Sequence, residues 1–354
     1  MAQTANETIH IAPDQLYSWT LDLLKAAGIK PADAEEIARH LLFADLRGVS
    51  THGTSRLKIY LSRMEAGLVD PGAEIRVLKE TPVSAYLDGG NHFGQVVARR
   101  ATDIVIEKAK SMGMAIVGVK NSTHCGAMAY YTLLMAKAGL IGFACTNAPA
   151  NMPPFGGREA FFGTNPFSVA APAGEGQTFV FDMATSQVAR GKIINAAREG
   201  KPIPLGWAID KDGNPTTDSK AALEGFVVPL GGAKGSALAF WVEMLSGVMT
   251  GGPIGPALPK MYEAMGEPQK VGHFFMAFRP DLFLTAEEFN RRMADTMDGV
   301  RNVAPAPGFT KVMAPGDVEL ANEARNRETG IPIPPGIRRE FAELAEKYGV
   351  PFPA

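Results

Sequence analysis

The segment from Asp45 to Arg56, DLRGVSTHGTSR, carries the side chains of this chain that are best suited to chemistry. His52 could donate a proton, because the reference pKa of histidine, about 6.5, leaves both forms available near neutral pH. Reduction of a carbonyl group needs such a donor. Thr51 could hydrogen-bond to the imidazole ring, and Arg56 could bind a carboxylate through two parallel hydrogen bonds. The same residues could equally be a capped helix start, with Thr51 as the N-cap and the arginines on a solvated face.

A second segment of this kind is NSTHCGAMAYY, from Asn121 to Tyr131, which directly follows a predicted strand. A strand, a turn of small residues and a helix start could leave backbone N–H groups free to bind an anion such as a phosphate. His124, within this turn, could cap the helix or line a cofactor pocket.

Three further segments combine polar with small residues: FGTNPFS (162–168), DMATSQVARGK (182–192) and GGAKG (231–235). Thr164 and Arg190 are candidate partners of a carboxylate or carbonyl group, since polar residues on loops at strand ends often bind ligands. Lys234 lies among glycines at a predicted helix start, where a phosphate could bind. A plain helix-start loop would have much the same sequence.

Hydrophobic periodicity predicts the elements that position these segments. The predicted helices cover about residues 13–27, 31–46, 57–66, 96–112, 127–137, 235–249, 285–298, 319–327 and 337–348. The predicted strands cover 83–87, 115–119, 140–146, 167–171, 178–183 and 273–278. Helices and strands do not alternate strictly, which favours an α+β or mixed fold over a doubly wound parallel one. The ends of the chain are helical and the middle is rich in strands.

The composition of the chain excludes several classes of protein. The chain has 354 residues, a net charge of −2 and no block of like charges, so we expect neither nucleic acid nor an anionic membrane as a partner. We expect no signal peptide and no membrane span. Cys125 and Cys145 form no CxxC pair, which favours a reducing, cytoplasmic setting.

The usual signatures of cofactor and metal sites are missing from the sequence. No GxGxxG follows a strand, and the Walker, HExxH and GxSxG patterns are missing too. A Rossmann dehydrogenase, a P-loop enzyme, a zinc enzyme and an α/β hydrolase are therefore disfavoured.

Taken in order, the polar segments resemble those of the malate/L-lactate dehydrogenase family of the non-Rossmann type, over about residues 14–335. The motifs that carry the resemblance are RGVxTHGxxR, NSxHxG, GTNP, DMATSxxARGK, GGxKG and a late PGD. The family also includes enzymes acting on ureidoglycolate, sulfolactate, 2,3-diketogulonate and cyclic imino acids. Its distinct nucleotide-binding fold would explain the missing GxGxxG.

The resemblance implies roles for individual residues. His52 would be the proton donor and Thr51, where relatives commonly have serine, its relay partner, while His124 competes for the acid–base role. The implied substrate site consists of Arg56, Thr164, Arg190 and Gly191. The implied cofactor contacts are His124, Cys125, Gly126, Ala127, Met128, Asp182, Met183, Ala184, Lys234 and the stretch from Ala314 to Glu319, which contains Pro315, Gly316 and Asp317.

The resemblance also implies a reaction and an assembly. We expect hydride transfer between NAD or NADP and a small 2-oxo acid, in a homodimer. Residues 1–114 and 300–354 would form a helical substrate and dimerisation domain, and residues 115–299 a nucleotide-binding domain.

Two departures from the family pattern keep other functions open. The extra methyl group of Thr51 crowds the pocket, and Ala233 and the Ser236–Ala237 pair replace groups found in many hydroxy-acid members. Reduction of a cyclic imine, such as a pyrroline or piperideine carboxylate, is the alternative within the class. A non-catalytic nucleotide-binding protein is the alternative from another class.

Overall fold

The computed structural model describes residues 7–174 and 176–353. Its helices are α1 (Pro13–Ala26), α2 (Pro31–Leu46), α3 (Leu57–Glu65), α4 (Gly94–Met112), α5 (Ala129–Lys137), α6 (Arg190–Arg198), α7 (Ser219–Glu224), α8 (Ala233–Glu243), α9 (Ala286–Arg301), α10 (Asp317–Thr329) and α11 (Pro335–Tyr348). Its strands are β1 (Ile9–Ile11), β2 (Arg76–Thr81), β3 (Ser84–Asp88), β4 (Met114–Ser122), β5 (Ile141–Thr146), β6 (Phe167–Pro172), β7 (Thr178–Met183), β8 (Ala208–Ile209), β9 (Pro215–Thr216), β10 (Phe226–Val227), β11 (Val271–Phe278) and β12 (Ile331–Ile333).

A seven-stranded mixed sheet in the order β2-β3-β4-β11-β5-β6-β7 lies at the centre of the fold. β3 and β4 are parallel, and the other neighbouring pairs are antiparallel. Helices α4 and α5 pack on one face, around a core that includes Val97, Tyr131 and Phe275. Helix α8 packs on the other face, near Phe143 and Phe274. Because both faces are covered, the central strands are apolar almost throughout.

Helices from the two ends of the chain share a second core. Pro13 and Pro31 each occupy a first helical position, where the missing N–H is no loss. The rings of Trp19 in α1 and Phe341 in α11 lie 4.9 Å apart. Strands β1 and β12 pair antiparallel and join the two ends. The predicted mixed fold, with a helical layer from both ends of the chain, is confirmed.

All nine predicted helices and six predicted strands have counterparts, but several elements were missed. Helix α6, helix α7 and the three short strands β8–β10 form a small unit with its own core. The predicted helix over 235–249 instead begins at Ala233 and continues, after Glu243, into a π-helical turn, Met244–Val248.

The central sheet takes strands from both sides of residue 114. Strands β2 and β3 lie within the range assigned to the helical domain, yet they pair with the rest of the sheet. β2 is an exposed edge strand, so its sequence lacks the alternation of apolar and polar residues that reveals a half-buried strand. The two domain ranges stay a prediction.

Candidate active site

His52 is positioned by two short 3₁₀ turns, Ser50–His52 and Thr54–Arg56, which link α2 to α3. The buried carboxylate of Asp45 accepts hydrogen bonds from the backbone N–H (2.8 Å) and hydroxyl (2.6 Å) of Thr54. A Cβ at Gly53 would lie 1.9 Å from Asp45 Oδ1. Only glycine therefore lets the carboxylate approach this turn. Burial raises the pKa of Asp45 to about 7 in spite of the two hydrogen bonds.

The predicted acid–base residues lie together. Thr51 Oγ1 is 3.0 Å from Nδ1 of His52, and the hydroxyl can either donate or accept there. The rings of His52 and His124 stack with centroids 5.5 Å apart and an interplanar angle of 28°. The structure thus brings Thr51, His52 and His124 into one cluster, although 72 positions separate the two histidines.

The hydrogen bonds of His124 determine which of its nitrogens carries a proton. Its Nδ1 accepts a hydrogen bond from the backbone N–H of Gly126 (3.3 Å) and lies 2.6 Å from the hydroxyl of Tyr60. A backbone N–H can only donate, so Nδ1 is the unprotonated nitrogen and Tyr60 also donates to it. Neutral His124 therefore carries its proton on Nε2.

Both histidines of this stack are neutral at neutral pH. Burial, with a smaller contribution from the charge of Arg56, lowers the pKa of His52 to about 4. Burial also holds the pKa of His124 well below its usual range, and the neighbouring His52 and Arg56 lower it further. Protonation of either ring would require a bound ligand that stabilises the positive charge, such as an anion.

Arg56 is held next to this pair. Its Nε donates to the carbonyl oxygen of Thr51, and its Nη1 donates to the hydroxyl of Tyr262. Tyr262 also places its ring near the guanidinium, with Cζ of Arg56 5.6 Å from the ring centroid. Because Nε is bonded to the peptide that precedes His52, the guanidinium has a fixed position relative to that histidine.

The turn before α5 is not the free anion site that its sequence predicts. The backbone N–H of Ala127 donates to Nε2 of His40 (2.9 Å), and the N–H of Ala129 donates to Asp182 Oδ2 (2.8 Å). Asp182 also accepts from the N–H of Met128. That prediction is wrong because two side chains distant in sequence take the N–H groups that a phosphate would need.

His40 fits closely under this turn. A Cβ at Gly126 would lie 2.1 Å from His40 Nε2, and Gly126 has a φ of +79°, so glycine is required there on both counts. The side chains of Cys125, Ala127 and Met128 are buried as well. A bound cofactor could reach these three residues chiefly along their backbone.

Asp182, at the end of β7, brings together three of the predicted cofactor segments. Its carboxylate lies over the start of α5. Glu319 of α10 and Arg47, just after α2, are close enough to affect its pKa, which burial raises to about 6. Gly316, which precedes α10, packs directly against Val180 of the same strand. The segments at 124–129, 182–184 and 314–319 therefore meet around the end of β7.

Asp317 has a structural role within this region. Its carboxylate forms two hydrogen bonds with Arg301 (2.7 and 3.0 Å) and accepts the N–H of Ala314 (2.8 Å). The arginine lowers the pKa of this carboxyl. A cofactor contact at Pro315–Asp317 would therefore come from the turn that Asp317 shapes, with Pro315 exposed on it.

A second cluster forms around Thr185. The carbonyl oxygen of Thr164 accepts both the N–H (2.8 Å) and the hydroxyl (2.9 Å) of Thr185. The carbonyl oxygen of Thr185 in turn accepts the N–H of Leu230 (2.9 Å), and Gln187 accepts the N–H of Gly231 (3.1 Å). These hydrogen bonds join three segments, those that carry Thr164, Met183–Ala184 and the exposed Lys234.

A cavity of about 410 Å³, lined mostly by glycine, proline and apolar residues, lies beside Gly232.

Arg190 and Gly191 lie in the first turn of α6. Arg190 Nη2 donates to the carbonyl oxygen of Leu223 (3.0 Å), which ties it to α7. No contact in the described ranges joins Arg190 or Gly191 to the His52 cluster.

Sequence reasoning missed several residues of the site. Tyr60 follows Arg56 by four positions and His52 by eight, so helical spacing could have placed it on the same face. The role of Asp45 could be read only from the contact that excludes a side chain at position 53. His40 and Tyr262 contact the site from distant parts of the chain, and no local pattern marks them.

The described residues contain neither a candidate metal site nor a candidate membrane span. No group of three or more histidine, cysteine, aspartate or glutamate side chains could hold a metal ion there. Among the described helices, none has the length and apolar character needed to cross a membrane.

Comparison with known proteins gives consistent matches. Residues 11–342 match the family model of malate/L-lactate dehydrogenase. The chain is 36% identical over 343 residues to an L-sulfolactate dehydrogenase of Methanocaldococcus jannaschii, covering 96% of this chain and 97% of the relative. The solved structure of a sulfolactate dehydrogenase from that organism superposes with a TM-score of 0.92 at 35% identity, covering 97% of this chain and 98% of that one.

Two further matches differ in substrate. A ureidoglycolate dehydrogenase (NAD(+)) of Escherichia coli is 34% identical over 323 residues, covering 91% of this chain and 92% of the relative. The crystal structure of a Δ1-piperideine-2-carboxylate reductase from Pseudomonas syringae superposes with a TM-score of 0.85 at 31% identity, covering 96% of this chain and 100% of that one.

Proposed function

We propose that this chain, which belongs to the malate/L-lactate dehydrogenase family, reduces a small 2-oxo acid with NADH or NADPH and oxidises the 2-hydroxy acid in reverse. One observation carries the proposal: Arg56 donates to the carbonyl oxygen of Thr51, the residue next to His52. A carboxylate anchor and a proton donor are thus held in two consecutive turns. Fixed orientation of this kind can supply several kcal/mol of barrier lowering.

Two charged residues of the predicted cofactor segments fit a nicotinamide cofactor. A carboxylate has about four acceptor positions, so Asp182 can accept ribose hydroxyl protons in addition to the N–H groups of Met128 and Ala129. The exposed Lys234 can offer a positive charge to a phosphate. When bound, the reduced nicotinamide supplies the hydride.

We assign different roles to the two stacked histidines. Nδ1 of His124 accepts the backbone N–H of Gly126, which can only donate, so a proton on Nδ1 would point at another donor. His124 therefore stays neutral and donates a hydrogen bond from Nε2. The hydroxyl of Thr51 can turn to accept a proton from Nδ1 of His52, so an imidazolium is tolerated there. His52 is the residue that delivers the proton to the alkoxide oxygen, with Thr51 as its relay partner.

The other substrate residues have a supporting role in this proposal. Arg56 binds the 2-oxo acid carboxylate. Thr164 is half-buried beside Thr185, and Arg190, with Gly191 next to it, keeps donors besides the one bonded to Leu223. These groups would contact the rest of the substrate.

A cyclic imine is the second candidate substrate. The neutral state of both histidines favours it, because a cyclic imine is largely protonated already and needs no proton donor. The structural match to a piperideine-2-carboxylate reductase agrees with this candidate.

A substrate screen tests the proposed function. The purified chain would be incubated with NADH or NADPH and pyruvate, oxaloacetate, sulfopyruvate or a piperideine carboxylate, and the absorbance of the reduced nicotinamide would be followed. We expect oxidation of the cofactor with at least one 2-oxo acid, faster than with the imine. Turnover of the imine alone would favour the second candidate, and turnover of none would overturn the proposal.

We also propose that the protein is cytoplasmic. Cys125 and Cys145 are both free thiols and both buried, as is usual for proteins in a reducing compartment. Fractionation of cells that express the native gene would test this, and recovery outside the cytoplasm would contradict it.

A homodimer is supported by helix α8 and its π-helical extension. Phe240, Met244 and Val248 recur every four residues and are 61%, 40% and 59% exposed, so they form one uncovered apolar face. We expect light scattering to give twice the chain mass of 37.7 kDa, and the Met244→Asp, Val248→Asp double variant to be monomeric. Val303→Asp, at a position 57% exposed just after α9, is the control. A monomeric wild type, or a dimeric double variant, would contradict this interface.

A further inference from the structure

Arg56, the proposed carboxylate anchor, has a neighbour that lies 206 positions away in the sequence. Its Nη1 donates to the hydroxyl of Tyr262, whose ring lies beside the guanidinium. The opposite side of Arg56 is fixed by the carbonyl oxygen of Thr51. Tyr262 is therefore placed at the position where a bound carboxylate would meet Arg56.

Tyr262 is held there by a buried arginine. Arg63, two helical turns after Arg56, is 2% exposed. It donates at 2.9 Å to the carbonyl oxygens of Met261, Ala264 and Glu267. Met261 itself is buried in the core formed by the ends of the chain. The backbone on both sides of Tyr262 is thus anchored, although its ring is 58% exposed.

The unused hydrogen-bond donors of Arg56 and Tyr262 indicate which kind of ligand the two residues bind. The hydroxyl oxygen of Tyr262 accepts from Arg56, so its own proton is directed elsewhere, and it meets no acceptor within residues 7–174 and 176–353. Arg56 Nη2 likewise has no acceptor in those ranges. Two unused donors, one O–H and one charged N–H, lie side by side. A carboxylate offers two acceptor oxygens on one carbon, which matches such a pair.

We propose that Tyr262 is a substrate-binding residue that donates its hydroxyl proton to the carboxylate held by Arg56. This inference rests on the proposed function, in which Arg56 anchors the 2-oxo acid. The two residues bind one carboxylate oxygen each, while His52 and His124 face the carbonyl group. Tyr262 thereby selects for a free carboxylate beside the carbonyl and against an ester or an amide.

The test is the Tyr262→Phe variant, which removes the hydroxyl and keeps the ring against Arg56. Calorimetry would measure the binding of oxamate, an unreactive analogue of a 2-oxo acid, in the presence of reduced cofactor. Steady-state kinetics would follow pyruvate and methyl pyruvate. Tyr348→Phe, which removes a hydroxyl bonded to Glu65 on another surface, is the matched control.

We expect Tyr262→Phe to weaken oxamate binding about tenfold and to raise KM for pyruvate about tenfold, the size of a lost hydrogen bond to a charged group. The kcat for pyruvate, the kinetics with methyl pyruvate and the affinity for the cofactor should stay within twofold of wild type. Unchanged oxamate binding would overturn the inference. Tighter binding would overturn it too, since Tyr262 would then compete for Arg56.

The oxamate measurement separates this inference from the proposed function. A wild-type chain that binds oxamate but reduces no 2-oxo acid would contradict the proposed function, while Tyr262→Phe would still report on the carboxylate contact. If the wild type reduces pyruvate and Tyr262→Phe has the same oxamate affinity and the same KM for pyruvate, the inference is contradicted but the proposed function is not. A wild-type chain that fails to bind oxamate at millimolar concentration would contradict the inference as well.

Discussion

The His52→Asn variant should lose between about 10²- and 10⁴-fold in kcat for a 2-oxo acid, the range typical of a positioned proton donor. His124→Asn should lose less, about 10²-fold, because it removes a neutral hydrogen-bond donor to the carbonyl oxygen. The difference follows from the two Nδ1 atoms. Nδ1 of His124 faces the N–H of Gly126, which can only donate, whereas Nδ1 of His52 faces the hydroxyl of Thr51, which can turn to accept a proton.

The pH profile separates the two roles more sharply than the rates do. The His52→Asn variant should lose the rise in kcat toward low pH that a protonated donor gives, while His124→Asn should keep it. Fluorescence titration of the reduced cofactor should give dissociation constants within twofold of wild type for both variants, which would show that cofactor binding is intact. His10→Asn changes the exposed histidine of β1 and serves as the control.

Tyr60→Phe gives an independent check on the same assignment. Without the phenol, Nδ1 of His124 keeps only the weak 3.3 Å bond from Gly126. The N–H of Gly126 still opposes a proton on Nδ1, so His124 should stay neutral and the acid dependence should stay with His52. The assignment is wrong if His52→Asn stays within threefold of wild type while His124→Asn is inactive.

The parts of the site that the sequence predicts are those whose chemistry is local. His52, Thr51 and Arg56 lie within six positions, so their common role could be proposed from spacing. The stack with His124 depends on how β4 meets the helical layer, and no local pattern reports that. The resemblance to a family indicated that His52 and His124 share a site, and the structure shows that their rings stack.

The failed prediction of a free anion site has a physical cause. A strand, a small-residue turn and a helix do lie at 114–137 as predicted. Whether the N–H groups of that turn stay free depends on side chains from elsewhere, and Asp182 and His40 occupy them. Local sequence reports which donors a turn exposes but cannot report which distant acceptor reaches them.

The fold was predictable where the hydrophobic pattern was strong. The helices at both ends of the chain carry a clear helical period, and the buried strands β4, β5 and β11 are short apolar runs. The strands β8–β10 have two residues each, too few to show any period, and β1 and β12 have three. These short strands form only because helices and the main sheet bring them together, so their pairing is a tertiary effect.

The affinity for a 2-oxo acid should fall as pH rises, by up to tenfold per unit. The charge of Arg56 helps to hold the pKa of His52 at about 4 in the free protein. A carboxylate bound to Arg56 offsets that charge, so the pKa of His52 rises in the complex. The complex then binds more protons than the free protein does, and linkage requires that protons favour binding.

The window of this effect follows from the two pKa values. Below about pH 4 His52 is protonated in both states, and above the pKa of the complex it is neutral in both, so binding is independent of pH at either extreme. Between these limits the dissociation constant rises with pH. Calorimetry of oxamate from pH 5.5 to 8, in two buffers of different ionisation enthalpy, would count the protons taken up. We expect an uptake that approaches one proton at the low end of this range.

The His52→Asn variant ties the effect to a residue. It should bind oxamate with a dissociation constant that changes less than twofold over the same range, because Asn does not titrate, whereas His124→Asn should keep the wild-type dependence. Proton release on binding would contradict the prediction outright. Equal proton uptake by the wild type and by His52→Asn would show that another group takes up the proton. The carboxylate of the substrate would then not be what raises the pKa of His52. If the proton uptake depends on His52, binding of the substrate carboxylate is what protonates the proton donor. This explains how both histidines can be neutral in the free protein although the reaction needs a protonated His52.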